Sequence, residues 1–199
     1  MIQTCGIIIL AAGASTRLGK PKQLLPVGSQ SLLSHTVGVA IKSKADHVIV
    51  VLGDKFHELR KKIDGQSLDI AENKDWKEGM ASSIRTGLSK MLESYPDIDA
   101  IIFMVCDQPF ISYTIINELI ESAKKTSKKI VTCNYGENIG PPALFQKSYF
   151  SKLSGLKGDV GARKIIGQHM DDVYTIDFPL GKIDLDTLDD IDRFKELYK

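Results

Sequence analysis

The chain has 199 residues, of which 43% are hydrophobic and 26% are charged, an ordinary composition for a globular protein. Its 26 Lys and Arg residues and 25 Asp and Glu residues give a formal net charge of +1, which argues against nucleic-acid and membrane-surface partners. The sequence has no signal-peptide pattern and no apolar run near the roughly 20 residues of a membrane span. Its three cysteines are widely spaced, so we expect a cytoplasmic protein with reduced thiols.

Short apolar runs alternate along the chain with segments of helical periodicity. The predicted strands are Ile2–Leu10, His47–Leu52, Leu68–Ala71, Ala100–Val105, Lys129–Cys133 and Val173–Ile176. The predicted helices are Leu32–Lys44, Lys55–Ile63, Ala81–Ser94, Tyr113–Lys125, Ala162–His169 and Leu188–Tyr198, with Ser112 as the N-cap of the fourth.

The first, second and fourth predicted strands are continuously apolar, which is typical of parallel strands that are covered on both faces. Strands that alternate with helices predict βαβ units and a mainly parallel sheet. We therefore expect one α/β domain over residues 1–199, a three-layer sandwich in which helices cover both faces of the sheet. The stretch Gly136–Pro142 is the best candidate for a departure from this alternation.

Three segments rich in polar and small residues follow predicted strands: Leu10–Lys22, Glu72–Gly79 and Cys106–Phe110. Ligands of such sheets bind beyond the carboxyl ends of the strands. We therefore expect these segments to meet at one edge of the sheet.

The first segment belongs to the stretch LAAGASTRLGKPKQLLP, Leu10–Pro26. The small residues Ala11, Ala12 and Gly13 let backbone N–H groups approach phosphate oxygens, while Arg17 and Lys22 supply positive charge. The dinucleotide pattern GxGxxG is absent, because the next glycine after Gly13 is Gly19, and the P-loop pattern is also incomplete. The residues of this loop fit a phosphate-binding loop and an ordinary solvated loop equally well.

Carboxylates stand at two informative positions. Asp107 ends the buried run in IIFMVCDQPF, where it either binds a cation or forms a turn or helix cap. In KIDLDTLDDIDRF, Asp184 and Asp186 share one side of an extended segment, and Thr187 or Asp189 could cap the helix that follows. A solvated acidic face is the alternative for this second segment. Cys106 has no partner histidine in a readable motif, which argues against a catalytic thiol.

The loop LAAGASTRLGKPKQLLP resembles the signature loop of the GT-A-like nucleotidyltransferases, and within them the MobA/MocA group that includes molybdenum cofactor cytidylyltransferase. Four further segments match this group in the same order: DWKEGMASS, CDQPF, GPPALF and GDVGAR. The resemblance runs from Ile7 to about Asp190. It implies the Rossmann-like GT-A fold and a nucleotidyl transfer that releases pyrophosphate.

The resemblance also implies roles for individual residues. Gly13, Arg17 and Lys22 would cradle the triphosphate, and the backbone of Ala11 and Ala12 would lie near the base. The remaining nucleotide-binding residues would be Gly79, Met80, Ser83 and Asp107. Asp107 and Asp186 would hold Mg²⁺. Catalysis would rest on Arg17, Lys22 and Asp107.

On the acceptor side, the matched positions are Gly140, Pro142, Asp159 and Gly161. This sequence has Pro141 where the family often has His, which leaves the acceptor open. It has Leu188 where the family usually has Pro, which leaves open whether Asp184 or Asp186 faces the metal.

The resemblance implies transfer of CMP from CTP to the phosphate of molybdopterin cofactor, with a molybdoenzyme or its maturation factor as a further partner. A guanylyltransferase, or a transferase for another small phosphorylated acceptor, fits the same residues. The alternative from a different class is a non-catalytic accessory protein that binds a nucleotide or the cofactor. An NAD-linked oxidoreductase is disfavoured by the missing GxGxxG pattern.

Overall fold

The computed structural model describes residues 2–15 and 18–197. The strands are β1 (Cys5–Ala11), β2 (Pro26–Val27), β3 (Gln30–Ser31), β4 (His47–Leu52), β5 (Asp69–Glu72), β6 (Ala100–Val105), β7 (Ile130–Asn134), β8 (Ile139–Gln146) and β9 (Val173–Asp177). The helices are α1 (Leu32–Lys42), α2 (Phe56–Arg60), α3 (Met80–Ser94), α4 (Tyr113–Lys125), α5 (Phe150–Ser154), α6 (Arg163–Gln168) and α7 (Leu188–Leu197).

Seven strands form one sheet in the order β5-β4-β1-β6-β8-β7-β9, and β2 pairs with β3 in a separate antiparallel ribbon. Within the large sheet, β8 alone runs antiparallel to its neighbours β6 and β7. The chain moves outward from β1 through β4 to β5 and then crosses to β6 on the other side of β1. The carboxyl ends of β1 and β6 therefore form the switch point at which open α/β sheets bind ligands.

Alternating side chains of the central strands enter two separate cores. On β1, Ile7 and Ile9 pack with the helices α1, α2, α4 and α7, whereas Ile8 and Leu10 pack with α3, α5 and α6. Helices thus cover both faces of the sheet, which confirms the predicted three-layer α/β/α architecture. Coverage on both faces is the physical reason that these strands are continuously apolar.

The predicted alternation misses β8, which occupies Gly136–Pro142 in part and continues to Gln146. Pro141 and Pro142 argue against an interior strand, because proline has no N–H for a ladder hydrogen bond. The structure accommodates both prolines by a register shift: Thr132 pairs with Ala143, and the next residue of β7 pairs with Gly140. The pairing of β8 with β6 begins only at Ala143. Neither proline therefore interrupts a ladder.

Several predicted helix ends also differ from the observed ones. The second helix begins after Lys55, which adopts a left-handed conformation, and it ends at Arg60 rather than Ile63. The short helix α5 was not predicted at all. The N-cap prediction is confirmed, since Ser112 Oγ accepts a hydrogen bond from the N–H of Ile115.

Within residues 2–15 and 18–197, no helix combines the length and hydropathy that crossing a bilayer would require.

Gly87 provides a test of the contact between α3 and the sheet. A Cβ at this position would lie 2.5 Å from Ile8 Cγ2 and 2.8 Å from Val51 Cγ2, both on fully buried side chains. We expect Gly87→Ala to lower the free energy of unfolding by about 1–3 kcal/mol, because the core has no room for the methyl group. Urea denaturation measures this change.

The matched control is Gly38→Ala in α1, where an added Cβ would meet no atom within 4 Å. Its helix propensity should raise the free energy of unfolding by up to roughly 1 kcal/mol. Equal effects of the two substitutions would contradict the described packing.

Candidate active site

The loop after β1 is held in place by a buried glutamine. Gln23, which is 1% exposed, donates from Nε2 to the carbonyls of Ala11 at 3.0 Å and Gly13 at 2.9 Å. The hydroxyl of Ser15 accepts from the N–H of Lys22 at 3.0 Å, which closes the loop. Among the described residues, the N–H groups of Gly13 and Ala14 donate no hydrogen bond. Two backbone donors are thus available to an anion.

Lys22 lies between two carboxylates. Its Nζ is 2.6 Å from Asp107 Oδ2 and 2.9 Å from Asp186 Oδ1. The side chain of Lys22 is 18% exposed, and those of Asp107 and Asp186 are 18% and 30% exposed. Three distant segments of the chain therefore converge on one ammonium group.

Asp107 and Asp186 meet because the segment before α7 is tied to the end of β6. The N–H of Leu185 donates to the carbonyl of Asp107 at 2.9 Å. Of the two caps that the sequence allowed, Thr187 rather than Asp189 caps the helix: its Oγ1 accepts from the N–H of Asp190, and Asp190 Oδ2 accepts from the N–H of Thr187. This reciprocal capping fixes the point at which α7 begins, and Asp186 lies directly before it.

Electrostatics at this point favour a bound cation. The pKa of Lys22 is raised, because attraction and hydrogen bonds from Asp107 and Asp186 outweigh the opposing effect of burial. Desolvation, together with repulsion from Asp107 and Asp186, raises the pKa of Asp184 to about 6. Asp107 Oδ1 is buried and has no hydrogen-bond partner. A buried carboxylate oxygen without a partner is unfavourable unless a cation or donor meets it.

The donor set fits a hard divalent ion that takes its other ligands from water and substrate. Within the described part of the chain, no three His, Cys, Asp and Glu side chains are arranged to hold a metal. Mg²⁺ commonly uses only one or two protein carboxylates and completes its shell with waters and phosphate oxygens. Asp107 and Asp186, with the unpaired Asp107 Oδ1, are suited to that role.

The opposite wall is formed by residues 76–79 and the loop that carries Asp159. Gly79 has φ = 116°, and a Cβ there would lie 2.6 Å from the Cα of Asp159. Only glycine therefore allows the two backbones to approach so closely. The N–H of Met80 donates to Asp159 Oδ1 at 3.3 Å, which adds a second link between the two segments.

Glu78 and Arg85 hold the two segments of this wall together. Arg85 donates to both carboxylate oxygens of Glu78, at 2.9 and 2.6 Å, and also to the carbonyl of Leu156. Glu78 Oε1 additionally accepts from the N–H of Gly158. The hydrogen bonds from Arg85, followed by that from Gly158, lower the pKa of Glu78 to about 2. The carboxylate thus remains charged throughout the neutral range.

These walls enclose a first cleft of about 510 Å³. It is lined by residues 13–15, Leu18, Lys22, residues 76–79, Asp159 and Asp186. Of the predicted nucleotide-binding residues, Gly13, Lys22 and Gly79 line it directly. The predicted residue Arg17 lies outside the described residues.

The other predicted nucleotide-binding residues lie behind or beside the first cleft. Ala11 and Ala12 are buried, and their carbonyls accept from Gln23 and from the N–H of Asp54. Ser83 is buried and its hydroxyl accepts from Asn73 Nδ2, so it supports the wall rather than facing the cleft. Met80 is 37% exposed at the start of α3.

A second cleft of about 520 Å³ lies at the same edge of the sheet. It is lined by residues 135–138 together with Arg163, Lys182 and Asp184. The structure therefore separates Asp184, in the second cleft, from Asp186, in the first.

Each of the predicted acceptor-side residues lies in or near one of these two clefts. Asp159 lines the first cleft, and Gly161 lies near Met80, where a Cβ would be 3.5 Å from Met80 Cγ. Gly140 packs directly against Tyr135, which lines the second cleft, and Pro142 is buried nearby in β8.

Thiol chemistry has no support at this site. All three cysteines are free and buried. Burial, with a smaller effect from Asp107, raises the pKa of Cys106 to about 12. A thiol with so high a pKa is not a nucleophile at neutral pH.

Sequence reasoning missed Gln23, Glu78 and Arg85 as residues that shape the first cleft. The sequence KPKQLLP gave one available signal, because a glutamine that directly precedes two leucines needs hydrogen-bond partners if it is buried with them. The pairing of Glu78 with Arg85 and Gly158 depends on a contact between segments far apart in the sequence, and no local pattern indicates it.

Comparisons with known proteins agree with this geometry. A family model described as the MobA-like NTP transferase domain matches residues 7–173. The purine catabolism protein PucB of Bacillus subtilis (strain 168) is 30% identical over 171 residues, which cover 80% of this chain and 78% of PucB. Nicotine blue oxidoreductase of Paenarthrobacter nicotinovorans is 27% identical, with coverage of 96% and 94%.

The crystal structure of Rv0371c from Mycobacterium tuberculosis H37Rv in complex with manganese superposes with a TM-score of 0.81 and 28% identity, covering 98% of this chain and 99% of that one. Solved nucleotidyltransferases share the same GT-A-like fold.

Lys22→Met tests whether Lys22 competes with a divalent ion for the two carboxylates. In the absence of nucleotide we expect the variant to bind Mn²⁺ at least about tenfold more tightly, because unit charges near 4 Å interact by several kcal/mol at a partly buried site. Electron paramagnetic resonance of free Mn²⁺ measures the affinity.

The control is Lys20→Met, because Lys20 is exposed and is not among the residues that line the first cleft. An unchanged Mn²⁺ affinity in Lys22→Met, or an equal gain in Lys20→Met, would show that Lys22 does not occupy the place of the metal.

Proposed function

The chain belongs to the MobA-like NTP transferase family and is a nucleotidyltransferase of that family, and on this premise we propose that it transfers CMP from CTP to the phosphate of molybdopterin cofactor, releasing pyrophosphate. The observation that carries the proposal is the position of Lys22 between Asp107 and Asp186, beside the two available N–H groups of the β1 loop.

The reaction requires alignment and charge stabilisation rather than a general base. The acceptor phosphate is already anionic near neutral pH, and one of its oxygens forms a bond to the α-phosphorus. The bond from the α-phosphorus to the bridging oxygen breaks, and its electron pair leaves with pyrophosphate. A site that holds the two reactants in line and stabilises the leaving charge supplies most of the catalysis.

The chain's own residues provide this stabilisation. Gly13 and Ala14 line the first cleft in a loop that Gln23 fixes, so we propose that their N–H groups meet phosphate oxygens with little rearrangement. Lys22 supplies a positive charge next to them. Arg17, which the family resemblance assigns to the same cradle, is proposed to add a bidentate donor.

We propose Mg²⁺ as the cofactor, with Asp107 and Asp186 as the residues that hold it. When bound, such an ion neutralises phosphate charge and orients the triphosphate. The unpaired Asp107 Oδ1 and the small number of carboxylates support this assignment, as does the manganese complex of a structural neighbour.

The choice of CTP and of the molybdopterin acceptor rests on the sequence resemblance. A guanylyltransferase, or a transferase that acts on another phosphorylated acceptor, would use the same cleft and the same carboxylates. Pro141 replaces the histidine found in many relatives, and its carbonyl accepts a hydrogen bond from Tyr135, so the acceptor side differs locally from the family pattern.

Two functions of other classes fit the site less well. A non-catalytic accessory protein has no need for two carboxylates held around a lysine next to the β1 loop. One relative carries the name of an oxidoreductase, yet this chain lacks the GxGxxG pattern with which Rossmann domains bind dinucleotides.

The decisive assay is pyrophosphate release in the presence of Mg²⁺ and each of CTP, GTP, UTP and ATP, with and without molybdopterin cofactor. We expect release that depends on the cofactor and is fastest with CTP. If release were fastest with GTP, GTP would replace CTP as the proposed nucleotide donor. Nucleotide binding without cofactor-dependent release would reject molybdopterin as the acceptor.

Asp107→Asn tests the role of the strand-end carboxylate. We expect pyrophosphate release to fall by about 10²–10³-fold, as when a group that stabilises transition-state charge is removed, while the fold is retained. The control is Asp189→Asn, because Asp189 is exposed in the first turn of α7. Near-normal turnover of Asp107→Asn would contradict the assignment.

A further inference from the structure

Asp186 comes from a connection between two elements rather than from the end of a strand. Residues 178–187 join β9 to α7, and their regular structure is one turn of 3₁₀ helix at Pro179–Lys182. Hydrogen bonds from Asp186 and Thr187 to Asp190 tie the end of this connection to α7. The position of Asp186 relative to Asp107 must therefore come from contacts that the connection makes with the turn after β6.

The turn after β6 holds the connection at two places. The N–H of Leu185 donates to the carbonyl of Asp107 at 2.9 Å. Gln108, the next residue of the turn, donates from Nε2 to the carbonyl of Gly181 at 2.7 Å. Because the two bonds reach different parts of the connection, they fix its orientation as well as its distance from the turn. Asp186 follows directly after the second of these parts.

The side chain of Gln108 is itself fixed by its surroundings. It is 3% exposed, and its Nε2 donates a second hydrogen bond to the hydroxyl of Tyr135 at 2.9 Å. That hydroxyl donates in turn to the carbonyl of Pro141 in β8. Both hydrogens of the amide thus have acceptors, and Tyr135 anchors the amide to the sheet.

Gly181 fits closely against the same tyrosine. A Cβ at this position would overlap the ring of Tyr135 and would lie 2.6 Å from Phe178 Cδ1. Only a residue without a side chain therefore brings its carbonyl within reach of Gln108 at this place.

We propose that Gln108 is a positioning residue for the second carboxylate of the site: its hydrogen bond to Gly181 sets the place of Asp186, and with it the spacing between Asp186 and Asp107. Hydrogen bonds from an outer shell of residues orient metal ligands in this way. The inference rests on the proposed function for the metal, but it does not depend on the nucleotide or on the acceptor.

Gln108→Met removes both donors and keeps an unbranched side chain of similar length. We expect its affinity for Mn²⁺ without nucleotide, measured by electron paramagnetic resonance of free Mn²⁺, to fall by about 10–100-fold, the loss typical when an outer-shell partner is removed. The matched control is Gln146→Met. Gln146 also donates to a backbone carbonyl, that of Lys128, but it pairs with Ala100 at the opposite end of β6 from Asp107. This control should bind Mn²⁺ as the unaltered protein does.

The Asp186→Asn background separates positioning from a general loosening of the fold. If Gln108 acts through Asp186, Gln108→Met should cause no further loss of Mn²⁺ affinity in Asp186→Asn. Gly181→Ala, which displaces the acceptor of the same hydrogen bond, should show the same dependence. An equal loss in both backgrounds would mean that Gln108 acts through Asp107 or on the whole fold, and would overturn the proposal. An unchanged affinity in Gln108→Met, or an equal fall in Gln146→Met, would also overturn it.

Amide hydrogen exchange in the absence of metal tests the same contact independently of the proposed function. We expect the amide of Leu185 to exchange faster in Gln108→Met, because a connection that keeps one of two contacts opens more readily, and to be unchanged in Gln146→Met. If neither Asp107→Asn nor Asp186→Asn weakens Mn²⁺ binding, the proposed metal site fails, and exchange at Leu185 still shows whether Gln108 holds the connection. If Asp186→Asn weakens Mn²⁺ binding but Gln108→Met changes neither affinity nor exchange, the role of Gln108 fails alone.

Discussion

The ammonium group of Lys22 contacts Asp107 and Asp186 at the switch point, where the chain crosses from one side of β1 to the other, and the rest of the site is arranged around this contact. A carboxylate at the end of a buried strand is costly without a cation nearby. The fold meets this constraint by joining three segments, after β1, after β6 and before α7. A triphosphate and its metal would exchange one set of charge contacts for another at the same place, so the protein need not create a charged centre when substrate arrives.

Both walls of the first cleft are fixed by contacts made away from the ligand surface. Gln23 holds the carbonyls of the β1 loop inward, and Arg85 joins Glu78 to the segment around Gly158. The donors of such a cleft lose little conformational freedom when a ligand binds, since the protein has already ordered them during folding. The hydrogen bonds within the walls thus affect binding because they fix the positions of the groups that line the cleft, not because they contact the ligand.

Much of this arrangement was predictable from the sequence, because it follows from local patterns. Continuous apolar runs predicted the central strands, and Asp107 at the end of one of them indicated the ligand-binding edge. The family resemblance placed Lys22 at the same edge. It left open whether Asp184 or Asp186 faces the metal, because Leu188 stands where the family usually has Pro. In the structure these two carboxylates line different clefts, and the N–H of Leu185 between them donates to the carbonyl of Asp107.

The remaining features depend on contacts that no local pattern encodes. Pro141 and Pro142 concealed β8, since the register shift that accommodates them arises only when β7 is paired beside it. The second cleft was likewise not predicted as a unit, because Tyr135, Arg163 and Lys182 come from three separated segments. The role of Arg17, central to the sequence-based hypothesis, lies outside the described residues and stays a prediction.

The antiparallel direction of β8 allows the β7–β8 connection to change in sequence and length without a change in the central strands. Because β8 begins at the ligand-binding edge, the connection at residues 135–138 is a hairpin tip whose length is not set by a crossover helix. Insertions or substitutions in this tip alter one rim of the second cleft and leave β1 and β6, which precede Lys22 and Asp107 in the chain, in register. The rim of the second cleft can therefore change in length and charge while Lys22, Asp107 and Asp186 keep their places at the switch point.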